Sequence, residues 1–98
     1  MTPESCTSMR EVRTGIDALD REIVALIATR MRYMDAAARL KSHRDDVRDE
    51  ERKAEVIANA RHAAAEFGVP PDLAEALWEV LVEGSIAYEF DRWDQHRA

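Results

Sequence analysis

Glycine and proline are scarce in this 98-residue chain, three of each, and cysteine occurs once. So few breakers leave room for a small number of long elements. No β-type alternation persists anywhere, so no sheet is expected. Cys6, alone and ahead of the first predicted helix, can form no intramolecular disulfide. The longest apolar run, Ile23 to Ala28, is far too short to span a bilayer. The segment Met1 to Met9 contains Glu4 and no apolar stretch, so it does not read as a secretory signal. His43, His62 and His96 are far apart, without cysteine partners or HExxH-like spacing. No metal and no cofactor are therefore expected. A glycine-rich phosphate loop is missing, and Cys6 has no positioned histidine to activate it as a nucleophile. An excess of positive charge is missing too: 14 Lys and Arg stand against 20 Asp and Glu, a net charge of −6. That balance argues against nucleic acid as a partner and makes any anion site a local cation cluster. A single domain over residues 1–98 in a cytoplasmic setting, without membrane attachment, is the expectation.

What is present is helical periodicity. Val12, Ile16, Leu19, Ile23, Leu26, Arg30, Tyr33, Ala37 and Leu40 follow in steps of four and three along one face. A first helix is predicted from about Ser8 to Lys41, with Thr7 or Ser8 as its N-cap and Glu11 in its first turn. The stretch Ser42 to Asp49 reads as a polar connection over the surface. Asp49, Glu50 and Glu51 suit the positive end of a second helix, with Gly68 as its stop. Pro70 and Pro71 open a third helix that reaches about His96. The fold class is thus all-α, three helices with a long first one.

The first helix would be about 50 Å long, nearly twice the ~26 Å expected across a chain of this size. The second is too short to cover its apolar face, and the third covers only part. A symmetric homodimer in which two long helices pack together is therefore expected, with sites along the seam built from both chains.

Arg30 breaks that seam. A guanidinium keeps its proton, so at a buried position it needs an anionic partner. An internal acid and an anionic ligand are both open readings. Arg30, Met34, Ala37, Ala38 and Lys41 share one face and outline an alanine-floored trough with a cation at each end, suited to a compact dianion. Lys41 taken alone reads first as a cation that ends the helix and favours its negative end. On the third helix Trp78, Val82, Ser85, Glu89 and Trp93 form a stripe that sets a carboxyl among apolar and aromatic residues. Desolvation there disfavours the ionised form, leaving an acid able to donate a hydrogen bond; pairing with an arginine is the alternative. The charged run from Arg44 to Lys53 reads mostly as solvated surface, and Arg52 is its member best placed to face a ligand.

The stretch Val12 to Lys41, VRTGIDALDREIVALIATRMRYMDAAARLK, resembles the signature of the all-helical chorismate mutase family. Arg13, Ile16 with Asp17, Leu19 with Asp20, Arg30 and Lys41 match its spacing, as do SHR, VRD and Arg52, then Ser85 and Glu89. TPESC and RMRYMDAAARLK are most similar to the branch that includes isochorismate-pyruvate lyase, whereas SHRDDVRD looks more like the mutases. The resemblance implies an intertwined homodimer of three-helix chains with two shared sites. It implies that Arg13 of one chain and Arg30 of the other hold the substrate carboxylates. Lys41 would contact a carboxylate and the ether oxygen, Arg52 would add to the clamp, and Asp49 would lie near the ring hydroxyl. Ser85 and Glu89 would line the far wall, while Asp17 and Asp20 would be structural. Two positions depart from the family pattern: Glu89 stands where many members have Gln, and Lys53 where mutases usually have Glu.

The implied reaction is the pericyclic shift of chorismate to prephenate. It needs no nucleophile and no proton transfer, only a folded conformer fixed by Arg-carboxylate pairs and donors at the ether oxygen, where negative charge grows. Elimination of pyruvate from isochorismate to give salicylate could use the same clamp. An inert helical dimerisation module is the reading from a different class.

Overall fold

The computed structural model describes residues 2–98. Met1, at the head of the segment that does not read as a secretory signal, lies outside the described residues. A 3-10 turn at Pro3–Ser5 precedes α1 (Met9–Leu40); a second, at Arg44–Asp46, precedes α2 (Glu50–Phe67) and α3 (Pro71–His96). The architecture is all-α, and no strand occurs among the described residues.

The helix ends follow from their sequences. At the start of α1, Ser8 Oγ accepts the Glu11 N–H at 3.2 Å, and the Thr7 hydroxyl donates to the Glu11 carboxylate at 2.9 Å. Ser8 is therefore the cap, with Thr7 bracing it. Asp49 caps α2 by accepting the Arg52 N–H at 3.0 Å. Gly68 ends α2 with φ 78°, the left-handed conformation that closes helices at low cost only in glycine. Pro71 begins α3, and the Pro70 carbonyl takes the N–H groups of Leu73 and Ala74 at 3.1 and 3.2 Å.

Two compact units divide the chain, and their boundary falls inside α1. The first, up to Tyr33, holds the Pro3–Ser5 turn and the amino-terminal part of α1. Its apolar stripe is open, with Ile16 49 %, Leu19 54 %, Ile23 52 % and Leu26 70 % exposed. A groove of about 550 Å³ runs along it, lined among others by Pro3, Cys6, Val12, Ile16 and Leu19.

The second unit, from Met34 onward, contains the core. Val47, Val82 and Ile86 form its centre, with Val56, Trp78, Phe90 and Trp93 packed around them. Ile57 and Ala64 of α2 and Ala74 of α3 are also buried. The connection after α1 thus does more than cross the surface, because Val47 turns inward as part of the core. Ala38 is wholly buried as well, so its methyl packs in the interior of this unit instead of flooring an open trough. Among the described residues, no helix is long and apolar enough to cross a membrane.

Candidate active site

The apolar stripe of α3 carries a carboxyl inward. Val82, Ser85 and Glu89 are buried, flanked one turn away by half-buried Trp78 and Trp93. Glu89 Oε2 accepts a hydrogen bond from Lys41 Nζ at 2.7 Å, with the two side chains 5 % and 31 % exposed. That short approach is a charge-assisted bond between carboxylate and ammonium. The partner is a lysine, where the alternative reading of the sequence names an arginine. The reason is positional: Lys41, the first residue after α1, has its backbone carbonyl held to α3 by the Trp93 indole N–H at 3.2 Å. An ammonium carries three donors, so the bond to Glu89 leaves two for an incoming ligand.

Ser85, one turn before Glu89, donates its hydroxyl to the Leu81 carbonyl at 2.7 Å, within its own helix. Asp49 and Arg52 meet at the start of α2 through the capping bond, and the exposed Arg52 guanidinium pairs with Glu55. Arg13 and Arg30 belong to the unit that ends at Tyr33; Arg13 is exposed and Arg30 half-buried. Lys41, Asp49, Arg52, Ser85 and Glu89 belong to the other unit, where Lys41 and Glu89 are in direct contact.

The charged run differs from a plain solvated surface. Arg44 forms a two-pronged pair with Asp94 at 2.9 and 3.3 Å, and its guanidinium lies 4.5 Å from the centre of the Phe90 ring. Arg48 bonds Glu50 at 2.9 Å and Glu83 at 2.8 and 3.1 Å. Lys53 reaches Glu83 at 2.9 Å and Glu79 at 3.1 Å. These cations fasten the connection and the first turn of α2 to α3. Hydrogen bonds from Arg48 and then Lys53 pull the Glu83 carboxyl down to about 2, and the same bonds raise the pKa of both cations. Lys53 is thus engaged with α3.

Sequence reasoning missed two further groups. Asp35 Oδ1 accepts from Tyr88 OH at 2.8 Å and from Arg92 Nε at 2.7 Å, tying α1 to α3. The Tyr88 phenol is pushed up, first by its bond to Asp35 and then by burial. Arg97 donates to the Ala38 and Lys41 carbonyls at 2.9 and 2.6 Å. The signal for Arg97 was present, since it continues the steps of four through positions 85, 89 and 93. Among the described residues, no group of three or more His, Cys, Asp or Glu side chains could hold a metal ion.

Comparison with known proteins bears on what such a site could do. The sequence profile of the family described as chorismate mutase type II matches residues 12–90. An isochorismate pyruvate lyase of Pseudomonas aeruginosa is 32 % identical over 96 residues, covering 98 % of this chain and 95 % of that protein.

Proposed function

The chain belongs to the type II chorismate mutase family, and from that premise we propose that it rearranges chorismate to prephenate in a single domain, residues 1–98, working as a homodimer. The observation that carries this reading is the Lys41–Glu89 contact, inside a family match that also spans Arg13, Arg30, Asp49, Arg52 and Ser85. The open apolar stripe of α1 supports the dimer. Ile16, Leu19, Ile23 and Leu26 are each about half exposed or more, and a second copy would bury them.

In this reading Arg13, Arg30 and Arg52 bind the two carboxylates of the substrate, Arg13 and Arg30 coming from different protomers. Fork-shaped guanidinium pairs hold the enolpyruvyl arm over the ring, which is catalysis by orientation. Asp49 lies by the ring hydroxyl and Ser85 by the far wall. As the ether C–O bond breaks and the new C–C bond forms, negative charge grows on the ether oxygen. Lys41 directs one of its remaining donors to that oxygen. A carboxylate cannot donate, so Glu89 acts by accepting from Lys41 and aiming it.

A second reading is isochorismate-pyruvate lyase activity, favoured by the near end-to-end match with the Pseudomonas aeruginosa enzyme. There the same ether bond breaks while a hydrogen passes from the ring to the enolpyruvyl fragment, giving salicylate and pyruvate. Incubating the purified protein with chorismate and, separately, isochorismate, with products identified by NMR, tests both. Prephenate as the efficient product supports the mutase. Salicylate plus pyruvate with little prephenate selects the lyase. Turnover of neither substrate, with no thermal shift from chorismate, rejects both and leaves a non-catalytic dimerisation module.

A further inference from the structure

The last turn of α3 is built against the end of α1. Trp93 Nε1 donates to the Lys41 carbonyl at 3.2 Å. Arg97 donates through Nη1 to the Ala38 carbonyl at 2.9 Å and through Nη2 to the Lys41 carbonyl at 2.6 Å. Its guanidinium lies 4.1 Å from the centre of the Trp93 ring, on which it stacks. The final carbonyls of a helix have no intrahelical donors, so a fork from another helix is a chemically apt cap for them.

The consequence falls on Lys41. Glu89 and Trp93 of α3 and Arg97, the residue that caps its end, stand four residues apart, and all three bond the same residue: Glu89 the ammonium, Trp93 and Arg97 the carbonyl. Lysine has a long stem with many rotamers, so fixing the ammonium alone leaves its Cα free to drift. Fixing the backbone as well determines where the remaining two donors point. Arg44, bonded to Asp94 and lying over Phe90, holds the chain just beyond Lys41 to the same turn.

We propose that Arg97, stacked on Trp93, is a positioning residue for Lys41, holding the backbone from which the ammonium is aimed. The proposal rests on the reading of Lys41 as the donor to the ether oxygen. It is tested with Arg97→Ala and Arg97→Lys, each made in the wild-type and in a Lys41→Met background. Misplacement by about an ångström costs on the order of a hundredfold in rate. Arg97→Ala is therefore expected to lower kcat roughly 10- to 100-fold in the wild-type background, with a smaller change in KM. Arg97→Lys, which keeps the charge but not the fork, is expected to recover part of the loss. In the Lys41→Met background Arg97→Ala is expected to change the residual rate by less than about twofold, because sites acting through one another are not additive. Equal losses in both backgrounds, or no loss in the wild type, would overturn the proposal. Amide hydrogen exchange separates its failure from that of the proposed function. The N–H groups of Lys41, Asp46 and Val47 are hydrogen-bonded to Ala37, His43 and Arg44. Even in a protein that turns over neither substrate, faster exchange there in Arg97→Ala supports the clasp, and unchanged exchange overturns it.

Discussion

Replacing Lys41 by Met leaves Glu89 as a carboxyl with 5 % side-chain exposure and no ammonium beside it. Removing one member of a buried pair costs about 3–5 kcal/mol, chiefly through the stranded charge. Lys41 is itself 31 % exposed, so water replaces part of what is lost and the cost falls to about 2–3 kcal/mol. Glu89→Gln is milder, because the amide oxygen can still accept from Lys41. It loses only the charge assistance, about 1 kcal/mol. In the double variant no charge is stranded, so the two costs do not add, and a coupling of about 1–2 kcal/mol is expected. The assay is urea unfolding followed by circular dichroism at one fixed protein concentration, since assembly would shift apparent stability. Thermal midpoints should follow, with Lys41→Met lower by roughly 10–20 °C at about 4–8 °C per kcal/mol for a domain of this size. Additivity within about 0.5 kcal/mol would refute the reasoning and reduce the contact to an exposed pair of little worth.

Arg30→Ala is expected to lower turnover by about a hundredfold or more while helicity and particle size are unchanged, as for a carboxylate clamp; an unfolded variant would make Arg30 structural. Glu83 lies below its ordinary 4.5 because Arg48 and Lys53 bond its ionised form, so its stabilisation is complete above that value and disappears as pH falls through about 2. The difference in urea midpoint between the wild type and Glu83→Gln should therefore shrink from about pH 6 towards pH 2, and a constant difference would show that the cluster does not hold in solution. Gly68→Ala meets no atom within 4 Å but places a Cβ at φ +78°, so it is expected to cost about 1 kcal/mol by thermal denaturation. A neutral result would mean that α2 can end in another conformation.

The helices were legible because their signals are local. Steps of three and four set α1, Asp49 capped α2, and Gly68 and the proline pair set the next boundary within a residue or so. The stripe that buries Glu89 was legible for the same reason, since one helix periodicity defines it. Its partner was not. Whether Lys41 or an arginine reaches Glu89 depends on how two elements 48 residues apart meet, and spacing within either one is silent on that. Val47 escaped notice inside a run of charges, because one inward-facing residue in a short connection has no period to reveal it. The charged run is mostly exposed, as its composition implied, but its pairings were not legible for a related reason. Arg44, Arg48 and Lys53 find their acids on α3, and only the packed structure brings Asp94, Glu83 and Glu79 opposite them.

The proposed pericyclic reaction would place an unusual demand on a protein of this composition. With no covalent step to share the barrier, rate depends on where a few cations stand, and an acidic chain must keep its carboxylates from neutralising them. The fold answers by giving most cations of the second unit an acid on α3. Arg44, Arg48 and Lys53 are each committed in this way. Lys41 differs because its acid is buried; among the described residues its ammonium bonds Glu89, and in the proposed reading its other donors serve the ligand. Glu89 is then better understood as the support that holds a cation at the edge of the core than as a competitor for it. Gln at this position would provide the same acceptor oxygen without the charge. The choice between acid and amide should therefore act first on how firmly Lys41 is held, and only through that on the rate.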